Sequence, residues 1–410
     1  MNSRCRQIVI SWVILVALGG SLNAERINTV NASVNLVASA DDNPQLDTAG
    51  SIPTPPRGEY FFTYGIYPSI ALNSTGPNSN LSLAYSFGFN RVDSQEDIES
   101  KSHTLGGGVN AQLTSNLQLT ISESFTRTSD LRTFNLFRGI LVTPEGAFFD
   151  SETIALNQDY YQNRASMGLD YTLSPNSSLS FGLAHSLRRY QENLSSATDL
   201  SDQDSLNGNL GYTHTMDPRS QWNVGYSVSL FEFQEFESAR IHYVSIGFSH
   251  QFRPSVSLSM GTGPSYTEAI DMQSSYLSFK NASFTLSKSL ENNLVSFSYS
   301  FQSGTSTGVG SVSDAQTFRF DFNRPLGRRT SVSANVTLYE SEARLDNPVD
   351  NRGLSISLIF NFLLHNRWVL VVGGSYQDQQ ESIQGTETFD VGRKRVFVSL
   401  RFTLPELMRF

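Results

Sequence analysis

The sequence has almost no cysteine. Its single cysteine, Cys5, lies near the start of a 410-residue chain. An apolar run follows it, which places it inside an export signal rather than at the start of a mature lipoprotein. The exported chain would then contain no cysteine, which excludes a disulfide framework and a thiolate metal site. A large protein of this kind must obtain its stability from buried area, hydrogen bonds or a membrane.

Long apolar runs are also missing. No stretch approaches the roughly 18 uninterrupted apolar residues of a transmembrane helix. The largely apolar run Ile8–Leu18 follows the positive Arg4 and Arg6, and small and polar residues lead from it to Ala24. This order predicts a signal peptide over residues 1–24, cleaved after Ala24. An uncleaved N-terminal anchor is the alternative.

Basic residues are outnumbered. The chain has 29 lysines and arginines against 38 aspartates and glutamates, a net charge of −9, and lysine is scarce. Nucleic-acid-binding proteins present a basic face, so no nucleic-acid partner is expected. Serine, asparagine, glycine, threonine and phenylalanine are abundant instead. This composition fits a soluble β-protein or a transmembrane barrel, whose strands alternate apolar and polar side chains.

Alternation of apolar and small polar residues recurs from end to end. Apolar side chains occupy the odd positions of 81–89 and small or polar ones the even positions, and 222–230, 318–322 and 354–362 behave similarly. Successive side chains on a strand point to opposite faces. The polar side carries Ser, Gly, Asn and Thr rather than the Lys and Glu of a water-exposed sheet. Each segment therefore predicts a strand with one apolar and one small polar face.

The many strands need a way to protect their edges. No amphipathic helix pattern could cover an edge, and unpaired backbone groups in hydrocarbon cost several kcal/mol each. Closing the sheet removes the edges. The sequence predicts an all-β fold, a closed antiparallel transmembrane β-barrel formed by residues 25–410.

Turn signals set the number of strands. Eight short turns, such as Thr114–Asn116, alternate with nine longer polar loops, such as 92–102, 128–158 and 303–314. Short periplasmic turns and long extracellular loops are typical of outer-membrane barrels. The pattern predicts 18 strands with both termini in the periplasm. Sixteen is the alternative, because Asn28–Ala38 and the segment around Tyr276–Leu286 alternate less regularly.

Aromatic residues mark the turn side of the barrel. Trp222 and Trp368 each closely follow a short turn, where an interfacial aromatic girdle is expected. The chain ends in Phe410 after an amphipathic last strand, which resembles the assembly signal of bacterial outer-membrane barrels. Pro405-Glu406 interrupts the alternation. We therefore expect the strand to end near Phe402, leaving a short periplasmic tail.

Three features together resemble a known family. They are Asp41-Asp42-Asn43 at the end of the first strand, the proline-containing second strand Tyr60–Leu72, and the 18-strand plan. They are similar to outer-membrane proteins of the β-barrel porin 2 type, and the resemblance covers nearly all of the mature chain. It implies a porin-like channel or an outlet for surface polysaccharide. It implies no particular site residue.

Charged residues on the polar face are candidates for the pore lining. One reading makes them a lining that sets ion selectivity or binds an anionic glycan. The other makes them a self-paired network that stiffens the wall. Arginines outnumber acids among them, which predicts a mild anion preference. The candidates are Arg164, Asp170, Arg188, Arg319, Asp321, Arg395 and Arg401.

The third long loop, about 128–158, is unusually apolar for a segment exposed to water. One reading is that it folds into the barrel and narrows the pore, and the other is that it packs over the rim or contacts lipopolysaccharide. The constriction candidates are Phe134, Leu136, Phe137, Glu145, Phe148, Phe149 and Asp150.

Enzyme signatures are weak. The stretch 304–308 matches G-x-S-x-G, but that motif works on a strand-to-helix elbow, and here it lies between two strands. The six histidines show no metal-ligand spacing. We expect no enzyme activity, no metal and no cofactor.

Three functions remain open. The first is passive diffusion of small hydrophilic solutes through a loop-constricted pore, because an 18-stranded barrel leaves an aqueous lumen. The second is an outlet for exopolysaccharide or capsule export, and the third a structural or adhesive barrel. The expected partners are outer-membrane lipid, lipopolysaccharide and the barrel-assembly machinery, with polysaccharide-export proteins in the second case.

Overall fold

A computed structural model describes residues 26–42, 60–93, 98–128, 151–152, 160–190, 202–234, 238–270, 274–290, 293–307, 311–343, 349–383, 387–404 and 408–409. These residues form one closed antiparallel β-barrel of 18 strands. The number of strands predicted from the turn signals is confirmed, and the alternative of 16 is wrong. The predicted signal peptide lies outside the described residues.

The strands of the first half are joined in chain order, each antiparallel to the next. They are β1 (Ile27–Asp41), β2 (Phe61–Thr75), β3 (Ser79–Asp93), β4 (Ile98–Thr114), β5 (Leu117–Thr128), β6 (Tyr160–Ser174), β7 (Ser177–Tyr190), β8 (Gln203–Asp217) and β9 (Ser220–Phe233).

The second half continues in the same way, but two of its strands are interrupted. β11 consists of Val256–Thr262 and Ser265–Ala269, and β12 of Ser274–Ser278 and Ala282–Leu290. The others are β10 (Ala239–Arg253), β13 (Asn293–Thr307), β14 (Ser311–Pro325), β15 (Thr330–Ala343), β16 (Val349–His365), β17 (Trp368–Ile383) and β18 (Glu387–Thr403).

The barrel closes between its first and last strands. β1 pairs antiparallel with β18, from Ser33 opposite Thr403 to Asp41 opposite Arg395. We call the end of the barrel that carries connections such as 115–116 and 175–176 the turn end, and the opposite end the loop end. β1 starts at the turn end and β18 finishes there.

The alternation in sequence becomes an apolar outside and a polar inside. Leu36, Ile66, Leu210, Ile246 and Val396 point outward, and each is more than a third exposed. Their neighbours along each strand point into the lumen, because side chains alternate across a sheet. Directly opposed residues in the register share a face, so the two faces can be followed around the whole ladder.

Several strands extend further toward the loop end than predicted. β3 continues to Asp93 and β4 begins at Ile98, inside the loop predicted over 92–102. Likewise β13 continues to Thr307 and β14 begins at Ser311, inside the loop predicted over 303–314. Above the apolar band, both faces of a strand are in polar surroundings. The hydrogen-bonded ladder therefore continues there, although the apolar–polar alternation that predicts a strand has ended.

The last strand ends where the sequence predicts. β18 ends at Thr403, one residue beyond Phe402. After it, Met408 and Arg409 pair with Val30 and Thr29 of β1, so part of the short C-terminal segment returns to the ladder. Phe410 lies outside the described residues.

No helix among the described residues is long and apolar enough to cross a membrane.

Candidate channel interior

The inner wall carries small polar side chains that are open to solvent. Ser122 and Ser124 on β5 point inward, and both are exposed. Their neighbours across the ladder are Ser166 and Arg164 of β6. Small polar side chains therefore line this part of the lumen, while Val37, Val371 and Phe397 on β1, β17 and β18 are buried apolar residues of the same inner face. This is the surface that a water-filled channel needs.

Arg319 and Asp321 form an ion pair within a single strand. They lie two residues apart on the inner face of β14, where Arg319 Nε donates to Asp321 Oδ2 (2.7 Å) and Nη2 donates to Oδ1 (2.8 Å). Asn335 of the next strand donates to the same carboxylate (2.8 Å). The two charges largely cancel, and the arrangement fits the interpretation of a self-paired wall network.

Arg188 and Arg395 lie buried on the inner face toward the loop end, each only 6% exposed. The guanidinium of Arg188 lies 5.4 Å from the centre of the Tyr160 ring, and that of Arg395 lies 5.9 Å from the centre of the Phe397 ring. Both distances are within the range of a cation–π contact. These two arginines therefore belong to the packed wall.

Arg164, Asp170 and Arg401 are the candidates that meet the open lumen. All three point inward and are exposed. Arg401 lies near the turn end of β18, opposite Asn35. Of the seven lining candidates, these three are the ones whose charge a passing solute would encounter directly.

Sequence reasoning missed one inward pair, Arg393 and Asp41. Arg393 Nε donates to Asp41 Oδ2 at 2.8 Å, and both side chains are almost fully buried. Arg393 has the same parity as Arg395, so alternation could have placed it on the inner face. Its partner could not be found in this way, because it depends on the register between β1 and β18.

The described inner face has an excess of positive charge. The alternation and the register place six arginines and three aspartates among its described side chains, although the whole chain has a net charge of −9. Acidic residues such as Glu340 lie on the outer face near the loop end. The inward charges are Arg164, Arg188, Arg319, Arg393, Arg395, Arg401, Asp41, Asp170 and Asp321.

Inward aromatic rings lie against glycines of the neighbouring wall. A Cβ on Gly373 would come within 2.6 Å of Phe397 Cζ, and one on Gly353 within 2.4 Å of the Tyr339 ring. The missing side chains leave room for the rings to lie flat. Phe397 is 1% exposed, so it fills space in the wall and offers no surface to the lumen.

No protein-family model and no curated protein matches the chain. Solved structures do match it. Pseudomonas aeruginosa OccK2 (OpdF) aligns with a TM-score of 0.50 and 11% identity, over 92% of this chain and 98% of that chain. Pseudomonas aeruginosa OccK9 (OpdG) aligns with a TM-score of 0.50 and 12% identity, over the same shares. This chain has the fold of these proteins.

At 11–12% identity the likeness concerns the fold alone. It agrees with the closed antiparallel barrel seen in the strand register. The resemblance to the β-barrel porin 2 type stays a prediction, since no family model matches. What the barrel does has to be argued from its own residues.

The aromatic girdle candidates lie on the outer face at the turn end. The ring centres of Trp368 and Phe402 are 4.5 Å apart, and Trp222 lies against Tyr212 (5.4 Å) and His214 (5.8 Å). Tryptophan rings suit this height, because one edge can stay in hydrocarbon while the N–H reaches the headgroups.

The constriction candidates Phe134, Leu136, Phe137, Glu145, Phe148, Phe149 and Asp150 all lie outside the described residues. From the same connection, the structure describes only Ser151 and Glu152, which pair in parallel with Ser306 and Thr307 of β13.

The described residues contain no group of three His, Cys, Asp or Glu side chains placed to hold a metal. His185 Nε2 donates to Asp204 Oδ1 at 2.7 Å on the outer face, away from the lumen. The first four residues of the G-x-S-x-G match lie in β13, and its serine, Ser306, pairs with Ser311 in the β13–β14 ladder. It therefore lacks the strand-to-helix elbow of that motif.

Proposed function

We propose that the chain is an outer-membrane channel for passive diffusion of small hydrophilic solutes, with a preference for anions. The observation that carries this proposal is a closed barrel whose outer face is apolar and whose inner face exposes small polar and charged side chains. A sheet of this kind cannot leave edges in hydrocarbon. Barrels of this size leave an aqueous lumen unless it is plugged.

The anion preference rests on the inner-face charges. Arg319 and Asp321 neutralise one another, and so do Arg393 and Asp41. Among the exposed candidates, the two positive charges of Arg164 and Arg401 outnumber the one negative charge of Asp170. An aqueous path lined in this way has a net positive potential, which favours anions.

The same proposal gives the chain its surroundings. The apolar outer face would contact outer-membrane lipid, and the polar outer rim near the loop end would contact lipopolysaccharide. A cleaved signal peptide would export the chain, and the barrel-assembly machinery would insert it.

Single-channel conductance in a planar bilayer tests the proposal, with the refolded mature protein and with added oligosaccharides. We expect large, steady openings that sugars do not block, and a reversal potential in a KCl gradient that shows anion preference. Block by an anionic oligosaccharide would instead favour a polysaccharide outlet. Absence of conductance would favour a structural barrel and contradict the proposal.

A further inference from the structure

Seven exposed cationic side chains lie along one side of the turn end. They belong to the turns that join β8 to β9, β14 to β15 and β16 to β17, or to the last strand residues before the connections that follow β10, β12 and β14. We call this set the basic arc. Its members are Arg219, Arg253, Lys288, Arg324, Arg328, Arg329 and Arg367.

The basic arc has few acids to balance it. Within the described turns of this end and the three strand residues on either side of each, the only acid is Asp217, whose Oδ1 accepts from the Arg219 backbone N–H (2.7 Å). The sequence adds Glu291 in the connection 291–292, which lies outside the described residues. None of the seven cations forms an ion pair with an acid of the described residues. The arc is therefore positive in a chain whose net charge is −9.

The other side of the turn end has uncharged turns. The connections 76–78, 115–116 and 175–176, together with the three strand residues on either side of each, contain only Ser, Asn, Gln, Thr, Gly, Pro and Leu. A water-exposed turn therefore needs no charge in this barrel. The cations of the basic arc are concentrated on one side, where several of them can act on one anionic partner.

Two members of the arc point outward, away from the lumen. Lys288 follows Leu286 by two residues on β12, and Arg324 follows Phe320 by four residues on β14. Leu286 and Phe320 lie on the outer face, and each is 40% exposed. Side chains an even number of residues apart on a strand share a face, so Lys288 and Arg324 lie on the outer face too.

Lys288 and Arg324 are close enough to share one bound group. Lys288 lies opposite Val295, Val295 lies opposite Phe322, and Arg324 follows Phe322 by two residues. The strand spacing and the rise per residue place the two Cα atoms about 12 Å apart. Lysine and arginine carry their charge at the end of a long apolar stem, so the two charges can converge on one headgroup.

These cations lie at the height of lipid headgroups. Lys288 is the third residue of β12 counted from the turn end, and Arg324 is the second of β14. Trp368 on the outer face is the first residue of β17, and tryptophan rings are enriched at the membrane–water interface. Arg329 lies near this height as well, because its carbonyl oxygen accepts from the Leu363 backbone N–H of β16 (2.6 Å). Anionic lipid headgroups attract basic side chains at this depth.

We propose that the basic arc binds anionic phospholipids of the periplasmic leaflet. Lys288 and Arg324 contact the headgroup from the barrel wall, and Arg328 and Arg329 contact it from the adjoining turn. Lys288 and Arg324 point away from the lumen, so a lipid rather than a passing solute is the occupant. A zwitterionic headgroup already carries its own ammonium group beside the phosphate, so the arc favours lipids with a net negative charge. This inference rests on the proposed outer-membrane location, with the turn end in the periplasm.

Tryptophan quenching by brominated lipids tests the inference. Trp222→Phe leaves Trp368 as the only tryptophan of the mature protein. This parent protein is refolded into phosphatidylcholine vesicles that contain a small fraction of brominated phosphatidylglycerol, or the same fraction of brominated phosphatidylcholine. The turn-end variant carries four substitutions in the parent: Lys288→Gln, Arg324→Gln, Arg328→Gln and Arg329→Gln. The matched control removes four cations near the loop end: Arg127→Gln, Arg240→Gln, Arg352→Gln and Lys394→Gln.

We expect phosphatidylglycerol to quench Trp368 at least about threefold more effectively than phosphatidylcholine, because several cations act on one anionic headgroup. The turn-end variant should bring this ratio close to one, and the loop-end control should keep it. Equal quenching by the two lipids in the parent, or an equal loss of preference in both variants, would overturn the inference. Single-channel conductance in phosphatidylcholine bilayers shows that each variant has folded. Normal conductance without a lipid preference would leave the channel proposal standing.

Discussion

Arg393 and Asp41 connect the last strand of the barrel to the first through a nearly buried ion pair. Arg393 Nε lies 2.8 Å from Asp41 Oδ2, and the two side chains are 10% and 1% exposed. Beside them, Asp42 Oδ1 accepts from the Lys394 backbone N–H at 2.6 Å. The adjacent residues Asp41 and Asp42, which the sequence analysis singled out, thus join β1 to β18 at the loop end.

Removing one partner of this pair should destabilise the barrel strongly. Arg393→Ala leaves the Asp41 carboxylate buried without its cation, and such changes cost about 3–5 kcal/mol. Urea unfolding of the protein in lipid vesicles measures the change in free energy. Arg401→Ala, at the exposed end of the same strand, should cost less than about 1 kcal/mol. Similar losses for both variants would contradict the role given to the pair.

Replacing Gly373, which lies against the ring of Phe397, should lower the stability of the barrel. Gly373→Ala places a Cβ 2.6 Å from Phe397 Cζ and 2.9 Å from the Leu358 carbonyl oxygen. Overpacking of this kind costs about 1–3 kcal/mol. Gly374→Ala is the matched control, since its nearest contact is an ordinary 3.5 Å to the Arg395 carbonyl oxygen. Thermal unfolding in detergent should show a lower Tm for the first variant and not for the second.

Ion selectivity should depend more on the exposed arginines Arg164 and Arg401 than on the neutral pair of Arg319 and Asp321. Arg164→Gln and Arg401→Gln should each lower the anion-to-cation permeability ratio, because each removes a positive charge from the open lumen. The double variant Arg319→Gln with Asp321→Asn removes a neutral pair and should leave the ratio unchanged. Reversal potentials in a KCl gradient report the ratio. A larger shift for the double variant would show that the pair faces the ion path.

The stack of Trp368 on Phe402 should anchor the closing strand at the membrane boundary. The ring centres are 4.5 Å apart, and aromatic pairs contribute about 0.5–1.5 kcal/mol beyond their buried area. Trp368→Ala should lower the free energy of unfolding in vesicles by more than this amount, because it also removes apolar area. Trp368→Phe should recover most of the loss. An unchanged stability for Trp368→Ala would exclude the anchor.

Sequence reasoning predicts the barrel well because its two faces differ chemically. Each strand inside the apolar band alternates, and each tight turn, such as that after Ser174, is marked by residues such as Pro175. Where β3 extends beyond Val92 and β14 starts at Ser311, neither face of the strand contacts lipid, so neither face needs apolar side chains. The pattern that would reveal the strand is then absent, although the backbone ladder continues.

The alternation of side chains along each strand predicts which residues face the interior, but not how those residues pack or pair. Parity gives the face of Arg188 and Arg395, but not their burial, which depends on neighbours brought close by folding. It places Arg319 and Asp321 two residues apart on one face, so their pairing was open to prediction. The partner of Arg393 depends on the stagger between β1 and β18, and no local pattern encodes that stagger.

The meeting of β1 with β18 has a consequence for assembly. Ser33 finds its partner Thr403 only after every intervening strand has been delivered, and contacts so distant in sequence form late and slowly. Until then both outer strands present unpaired edges that can capture other chains. A chain that ends before β18 could not close the barrel by pairing β17 with β1 instead. β17 runs in the same direction as β1, so the two cannot form the antiparallel ladder that ends the sheet.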